Sequence, residues 1–458
     1  MLRFCISSQT PPIQPVDGHS PPRRGPWKLN RDYVPNVGGV VPMMRSLLRT
    51  GLGHWIAPKP RWVVQQGPDL PAEFEVDEGY VVESVPLEAE LRDRYNSFKE
   101  TVWRSFHGPR GLEPFRPEEY QAFVEYNHRT AQHLLHHMDD YDLFYVNDFQ
   151  QILVGGMIGS ASPALLRWHI PLEFRGYPEP VRRFFLRSME GFDAIVVSTR
   201  AGLEELIRHG FHGRAFQVYP YIDPNEHRPA SDRSIAEFRE RSGVAHAPYV
   251  LCVGRMDPVK RHDLVIAAFA QLRARFPDHR LVLVGGESFS SRQASKANEP
   301  TKSDAWVQRL REQIHDLKLE KSVILTGNVS NEDLRAAYEG ASLLVHPAPW
   351  EGFGLVVIEA WMHRLPVVVS QGAGVAELVN DDFNGYAVRP GSVRALVTSM
   401  ATLLSQPERA RRMGEAGYHT ARICHVKRAA PRLREIFARA VESYDRAGSG
   451  RENPGNRW

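Results

Sequence analysis

Short apolar runs alternate with segments of helical periodicity through the second half of the chain, and an alternation of this kind leaves few folds open. The runs are predicted β-strands at residues 249–253, 281–284, 323–325, 343–345 and 367–369. Apolar residues at helical spacing predict helices at 262–276, 333–338 and 355–363. Apolar strands separated by amphipathic helices are typical of a doubly wound parallel sheet, so the predicted fold class is α/β.

The first half repeats this pattern less regularly. Strands are predicted at 3–7, 62–65, 143–146, 165–169 and 194–198, and helices at 40–49 and 201–209. Residues 11–39 are rich in proline and glycine and are predicted to be irregular. Pro220 and Pro224 disfavour helix and place a linker at about 220–229. Two Rossmann-like domains, 1–222 and 228–429, are therefore predicted to face a central cleft where their strands end.

Composition excludes several classes of function. The chain has 458 residues, and its 57 basic and 54 acidic side chains give a net charge of +3, which argues against nucleic acid as a partner. No apolar run reaches the ~18 residues of a membrane span, and the N-terminal apolar patch is too short for a signal peptide. Three cysteines cannot form a disulfide scaffold, so a cytoplasmic protein with reduced thiols is expected. Residues 448–458 are expected to be disordered.

The first candidate site is the segment from Gly254 to Lys260, between a predicted strand and a predicted helix. A glycine at the strand tip allows close approach of a ligand to the backbone. Arg255 and Lys260 are two cations five residues apart near a helix N-terminus, an arrangement that suits a diphosphate. The alternative is that both cations are solvated surface residues.

The second candidate site is the loop that carries Glu351 and continues to Glu359, eight residues later. Gly352 and Gly354 mark a tight turn before a helix, whose first N–H groups would point at a phosphate. Glu359 could accept hydrogen bonds from ribose hydroxyls, and Glu351 from a sugar. Alternatively, Glu351 is a carboxylate favoured by the helix dipole.

These residues, with Pro349-Trp350-Glu351-Gly352-Phe353-Gly354-Leu355, resemble the nucleotide-sugar half of retaining GT-B glycosyltransferases of family 4. The resemblance covers about residues 248–388. It implies a GT-B fold, with a final helix near 430–447 returning to the first domain. It also implies roles for the named residues: Arg255 and Lys260 bind the donor diphosphate, Glu351 the donor sugar and Glu359 the ribose, while the backbone of Gly254 and of Gly352, Phe353, Gly354 and Leu355 surrounds the phosphates.

The first half resembles the trehalose-6-phosphate synthases of family 20 and related trehalose synthases. Gly38-Gly39-Val40 matches a glycine loop over the donor phosphates, and the segment from Tyr95 to Trp103 matches an acceptor-binding segment. Asp148 and His169 lie in matching strand-end motifs. Three departures leave the acceptor open: Asn147 replaces a histidine, one residue is missing between Tyr95 and Trp103, and residues 6–9 lack an expected arginine.

His169 and Asp148 each have two interpretations. His169 is either a structural histidine at a strand end or, as the resemblance implies, a catalytic residue that bonds the donor sugar. Asp148 is either a turn carboxylate that caps a helix or a contact to substrate hydroxyls. The pair His133 and His137 is favoured as structural rather than metal-binding, and no metal is expected.

The expected function is that of a retaining hexosyltransferase, trehalose(-phosphate)-synthase-like, with a UDP-, ADP- or GDP-hexose as co-substrate and no other cofactor. The implied reaction is a front-side route in which the departing phosphate helps to deprotonate the acceptor, a small sugar, sugar phosphate or polyol. The alternatives are a family-4 transferase acting on a glycan or natural product, a pseudo-glycosyltransferase that joins a cyclitol to an amine, and a non-catalytic sugar-nucleotide-binding regulator. A homodimer is left open.

Overall fold

The computed structural model describes residues 2–16, 25–36, 38–52, 58–67, 70–108, 115–286 and 301–449. It divides into two compact units, which we call unit 1 (Met1–Pro220 with Val426–Trp458) and unit 2 (Tyr221–His425). Of the predicted disordered tail, residues 450–458 lie outside the described residues. Among the described helices, none is both long enough and apolar enough to cross a membrane.

Unit 1 is built on an eight-stranded sheet with the strand order β10-β9-β8-β7-β1-β4-β6-β5. All neighbours are parallel except the edge strand β5, which is antiparallel to β6. The strands are β1 Phe4–Ser8, β4 Arg61–Gln65, β5 Glu73–Glu75, β6 Val81–Val85, β7 Leu143–Asn147, β8 Ala164–Trp168, β9 Ala194–Val197 and β10 Ala215–Gln217. Because most of these strands are buried along their length, most of their residues are apolar on both faces, as predicted.

Helices cover both faces of this sheet. They are α1 Val40–Leu47, α2 Ala89–Phe106, α3 Pro117–Leu135, α4 Val154–Ile158, α5 Glu179–Glu190, α6 Arg200–Arg208 and, from the end of the chain, α14 Val426–Ser449. One core contains Phe98 and Phe123 of α2 and α3, with Leu166 of the sheet. On α14, Phe437 packs edge-on against Phe4 at 5.3 Å and Tyr145 at 4.9 Å between ring centroids.

Unit 2 contains a six-stranded, entirely parallel sheet with the order β13-β12-β11-β14-β15-β16. Its strands are β11 Tyr249–Val253, β12 Arg280–Val284, β13 Val323–Gly327, β14 Leu343–His346, β15 Val367–Ser370 and β16 Gly385–Val388. Its helices are α7 Asp232–Ser242, α8 His262–Leu272, α9 Lys302–Asp316, α10 Asn331–Glu339, α11 Leu355–Met362, α12 Val393–Ser405 and α13 Pro407–Ala421. The apolar residues of α8 and β12 meet in one core.

The structure corrects the sequence prediction in three places. Within residues 11–39, Ile13–Pro15 (β2) pairs antiparallel with Tyr33–Pro35 (β3), so this segment is not wholly irregular. The helix predicted at 262–276 ends at Leu272, and a turn in which Arg275 and Phe276 donate to the Leu272 carbonyl leads to Pro277. The helix predicted at 40–49 ends at Leu47 and continues as a π-helical turn, Leu48–Leu52.

Candidate active site

In unit 2, a short capped turn after β11 presents Lys260. Asp257 begins the 3-10 turn Pro258–Lys260 and its Oδ1 accepts a hydrogen bond from the N–H of Val259 at 3.0 Å. An acidic N-cap followed by proline is a strong local start signal, which explains why the chain turns here. The Lys260 ammonium forms an ion pair and a hydrogen bond with the carboxylate of Glu351, and both side chains are largely buried.

The loop that carries Glu351 is held by backbone bonds to the segment after β15. Glu351 donates its N–H to the carbonyl of Gly372 at 3.2 Å, and its carbonyl accepts from Gly374 at 3.0 Å. Val375 donates to the carbonyl of Phe353 at 2.8 Å. A Cβ at Gly372 would lie 1.7 Å from the carbonyl oxygen of Pro349, so only glycine fits there. Glu351 is therefore positioned by residues that do not themselves carry charge.

Gly354 turns the chain into α11. Its φ of 102° is a left-handed conformation that favours glycine, and a Cβ there would lie 3.2 Å from His346 Nε2. Gly352, Phe353 and Gly354 are buried, and Leu355 is half-buried as the first residue of the helix. The helix N-terminus therefore follows directly on the Glu351 loop, where its first N–H groups lack partners within the helix.

The strand tip that carries Arg255 is formed by a close backbone approach. Gly254 donates its N–H to Val284 at 2.9 Å, and a Cβ at Gly285 would lie 1.9 Å from the carbonyl oxygen of Gly254. Gly285, with φ of 143°, is thus required for this approach. Arg255 follows Gly254 directly and is half-buried.

Two histidines near Lys260 are held neutral. Burial lowers the pKa of His346 to about 4; the Lys260 charge adds to that effect, and the Glu351 carboxylate opposes it. Burial, with Lys260, also lowers the pKa of His262 to about 4. Near neutral pH these two imidazoles are uncharged, so Lys260 provides the positive charge beside them.

Glu359 lies on α11 and is already partly satisfied. One of its carboxylate oxygens accepts a hydrogen bond from the hydroxyl of Tyr338 at 2.7 Å. The Tyr338 ring stacks on His363 at 5.4 Å between centroids. Tyr338 thus orients Glu359, a role that the sequence analysis missed because the two residues are 21 positions apart on different helices.

In unit 1, the ends of β7 and β8 bring Asn147, Asp148 and His169 together. The side-chain amide of Asn147 donates to the carbonyls of Ser7 at 3.0 Å and Tyr145 at 3.2 Å. Its Oδ1 lies 2.9 Å from His169 Nε2. Because the amide oxygen can only accept, Nε2 of His169 carries the proton and Nδ1 keeps its lone pair. Burial, with the charge of Arg167, lowers the pKa of His169 well below its usual value, so the imidazole is neutral.

Asp148 is buried in a strained turn beside His169. Its φ of 69° is unusual for a residue other than glycine, and its Oδ1 accepts from the backbone N–H of His169 at 3.3 Å. Burial raises the pKa of Asp148 to about 6, although backbone N–H donors from His169, Phe149 and Ile170 oppose that shift. Strained, buried carboxylates of this kind are concentrated at functional sites.

The other predicted residues of unit 1 lie in different surroundings. Tyr95 is fully buried between Phe123 and Tyr126, so the structure does not bring it to a surface. Trp103, also on α2, is half-buried and stacks on His107 at 4.1 Å. Gly38 and Gly39 are exposed and Val40 is the first residue of α1; Gly38 has φ of 126°. His133 and His137 both bond the Glu83 carboxylate, at 2.6 and 2.7 Å.

The structure thus assembles two groups of predicted residues: Lys260 and Glu351, followed by the start of α11, in unit 2, and Asp148 with His169 in unit 1. Within the described ranges, no group of three or more histidine, cysteine, aspartate or glutamate side chains could hold a metal ion.

Comparisons with known proteins bear on the family and the fold of the chain. Residues 234–420 match the family model described as Glycosyl transferases group 1. The chain is 32% identical over 209 residues to a GDP-mannose-dependent alpha-(1-6)-phosphatidylinositol monomannoside mannosyltransferase of Mycolicibacterium smegmatis. The aligned region covers 44% of this chain and 50% of the relative. The chain is 28% identical over 275 residues to a D-inositol 3-phosphate glycosyltransferase of Corynebacterium efficiens, covering 59% and 62%. The chain therefore spans about half to three-fifths of these relatives.

Solved structures match over nearly the whole chain. An α,α-trehalose 6-phosphate synthase from Burkholderia multivorans superposes with a TM-score of 0.74 at 19% identity, covering 100% of both chains. Anabaena HepE in complex with UDP and glucose superposes with a TM-score of 0.66 at 18% identity, covering 96% of this chain and 100% of that one. At these identities the likeness establishes the fold, which is the GT-B glycosyltransferase fold. Residues 234–420, within unit 2, form a group 1 glycosyltransferase domain.

Proposed function

We propose that the chain is a retaining glycosyltransferase that moves a hexose from a nucleoside-diphosphate sugar to a small sugar, sugar phosphate or polyol, in the manner of trehalose(-phosphate) synthases. The observation that carries the proposal is the Lys260–Glu351 ion pair on the loop that leads into α11. Lys260 is a largely buried cation, and a ligand that brings its own negative charge could replace the Glu351 carboxylate as its partner.

In this proposal unit 2 binds the donor. The diphosphate replaces Glu351 as the partner of Lys260, and Arg255 and the N–H groups at the start of α11 add further donors. Glu351, released from Lys260, accepts hydrogen bonds from hydroxyls of the donor sugar. Glu359, oriented by Tyr338, accepts from the ribose.

The chemistry follows from where charge develops. As the glycosidic bond breaks, negative charge collects on the departing diphosphate, and cations already aimed at it lower the barrier. One such preorganised donor is worth about 3–4 kcal/mol by analogy with oxyanion holes. The leaving phosphate then accepts the proton of the acceptor hydroxyl on the same face of the sugar, which retains the anomeric configuration.

Unit 1 supplies groups for sugar hydroxyls in this proposal. His169 is neutral with a lone pair on Nδ1, so it accepts a hydrogen bond without adding positive charge beside an oxocarbenium-like transition state. Asp148, with its pKa of about 6, is mostly ionised at pH 7 and accepts from a further hydroxyl.

The matched proteins support this reaction class and narrow the donors to be tested. The curated mannosyltransferase is named for GDP-mannose, and the HepE structure holds UDP and glucose. Both nucleotides, together with ADP-glucose, therefore belong in the assay.

The test is a donor and acceptor matrix followed by product NMR. GDP-mannose, UDP-glucose and ADP-glucose are each incubated with glucose, glucose 6-phosphate and D-inositol 3-phosphate, and released nucleotide is measured. We expect one donor to be turned over in an acceptor-dependent way, with the anomeric configuration retained in the product. An inverted product would overturn the retaining mechanism, and a chain that binds none of the nucleotides would overturn the proposal as a whole.

A further inference from the structure

Arg167, on β8 of unit 1, is a buried cation whose guanidinium is unsatisfied. Its relative exposure is 0%, and Nε, Nη1 and Nη2 all lack a hydrogen-bond partner in the part of the chain that the structure describes. A buried charge without a partner is costly, so a protein that retains one usually supplies an ion from elsewhere.

The register of the sheet places Arg167 beside a polar residue near the end of the strands. Asn147 on β7 pairs with Arg167 on β8, and Val146, one residue earlier on β7, pairs with Ser7 on β1. Ser8 and Asn147 are the last residues of their strands, and Arg167 is the last but one of its own. Ligands of open α/β sheets bind at this carboxyl edge. Because His169 is half-buried rather than fully buried, the surface is reached within two residues of Arg167.

A second polar atom on the same sheet face also lacks a partner. Tyr145 lies two residues before Asn147, and side chains two apart on a strand share a face. The Tyr145 hydroxyl is buried without a hydrogen-bond partner among the described residues. The opposite face carries Leu166 and Trp168 into the apolar core, to which neither Tyr145 nor Arg167 belongs.

The neighbouring charges do not compensate Arg167 by direct contact. Asp148 is close enough to sense the guanidinium, but its Oδ1 accepts the N–H of His169 instead. Burial, and then the charge of the same guanidinium, lowers the pKa of His169, so the imidazole is neutral and adds no second positive charge beside Arg167.

Arg45 is a buried arginine of unit 1 with a structural role, and its contacts can be compared with those of Arg167. Its side chain is 6% exposed and donates two hydrogen bonds to Glu78, at 3.0 and 2.8 Å. The two arginines are similarly buried, but only Arg45 has hydrogen-bond partners, so Arg45 is a matched control for Arg167.

We infer that Arg167 binds an oxyanion, a phosphate or carboxylate, at the carboxyl edge of the unit 1 sheet. The planar guanidinium presents two parallel N–H groups to such an anion, and Tyr145 supplies a third donor. The site would bind the anionic group of the acceptor substrate, and this part of the inference rests on the proposed function. The inference that the site binds an oxyanion does not depend on the proposed function.

The test compares Arg167→Met with Arg45→Met by thermal unfolding, in the full chain, with and without anions. We expect inorganic phosphate or glucose 6-phosphate, but not glucose, to raise Tm of the wild type by at least about 3 °C at a hundredfold excess over Kd. Arg167→Met should abolish this rise and leave Tm of the unliganded protein unchanged or higher. Arg45→Met should lower Tm and keep the rise. A response to glucose 6-phosphate without one to inorganic phosphate would assign the anion to a sugar phosphate, and the reverse to a free ion.

The inference is overturned if no anion shifts Tm of the wild type, or if Arg167→Met retains the shift. Loss of stability in Arg167→Met comparable with that in Arg45→Met would also overturn it, because it would mean that Arg167 is satisfied in the folded protein. Thermal shifts with UDP, GDP and ADP report separately on the donor site and should be unchanged in Arg167→Met. Absence of all three nucleotide shifts alongside a normal phosphate shift would reject the proposed function and leave the anion site standing.

Discussion

Asn147 Oδ1 and His169 Nε2 lie 2.9 Å apart, and the direction of this hydrogen bond fixes the protonation of the histidine. The asparagine amide already donates to two backbone carbonyls, so its oxygen must face the imidazole. His169 is therefore a neutral acceptor through Nδ1.

Asn147→Asp should reverse this state. A carboxylate in place of the amide oxygen favours the charged imidazolium, so the pKa of His169 should rise from well below its usual value towards or above about 6.5. Histidine Cε1–H titration by NMR measures the change, with Asn147→Leu as a control that removes the contact without adding charge. A wild-type His169 that titrates near 6.5 would contradict the assignment.

Lys260→Ala and Arg255→Ala should each lower kcat by about 100-fold or more, because each removes a cation from the leaving diphosphate. The protein should stay folded, because backbone hydrogen bonds to Gly372 and Gly374 still hold the Glu351 loop. Lys321, an exposed lysine of unit 2, provides the matched control, and Lys321→Ala should leave kcat unchanged. Steady-state kinetics with saturating donor measure the effect. Turnover in Lys260→Ala equal to that in Lys321→Ala would remove the leaving-group role.

The stability of unit 2 should fall in acid in a way that depends on His346. Its folded pKa of about 4 lies below the unfolded value of about 6.5, so the unfolded state binds the proton first. The stabilisation is fully present above pH 6.5 and is lost as the pH falls towards 4, by about 2 kcal/mol at pH 5.

Urea unfolding at pH 7 and pH 5 tests this dependence. His346→Asn should lose less stability between these two values than the wild type, by that same amount. His246→Asn, at an exposed position of unit 2, should behave like the wild type. Equal pH dependence in His346→Asn and the wild type would show that His346 is not held neutral by burial.

Gly372→Ala should weaken donor binding indirectly, by displacing the loop that carries Glu351. The added Cβ would overlap the carbonyl oxygen of Pro349 and displace the backbone bond that holds Glu351. We expect KM for the donor to rise by about tenfold, together with loss of stability. Gly156→Ala, on α4 of unit 1, meets no atom within 4 Å and should leave KM unchanged. An unaltered KM in Gly372→Ala would mean that the Glu351 loop is positioned by other contacts.

The parallel sheets could be predicted from sequence because burial on both faces makes their strands mostly apolar. The run at 249–253 is β11 without a change of boundary. The pairing of Ile13–Pro15 with Tyr33–Pro35 could not be predicted, since each strand has three residues and its only signal is its distant partner.

The part of the candidate site that depends on local turns could be predicted from sequence, whereas the part that depends on strand pairing could not. Asp257-Pro258 and Gly354 are local turn signals, and they predict the turns that position Lys260 and Glu351. Arg167 and Asn147 become neighbours only through the register of β7 and β8. Tyr95 shows the converse: an aromatic residue at helical spacing resembles a substrate contact in sequence, yet its helix turns it into the core.

Unit 1 draws its last helix from the far end of the chain, and this has a consequence for synthesis on the ribosome. Phe437 covers Phe4 and Tyr145, so that face of the first sheet stays open until more than four hundred residues have been translated. Unit 2 is contiguous and has emerged in full by then. The half of the protein that is made first is thus the half that is finished last, and a nascent chain arrested before residue 426 should present that uncovered apolar face to chaperones.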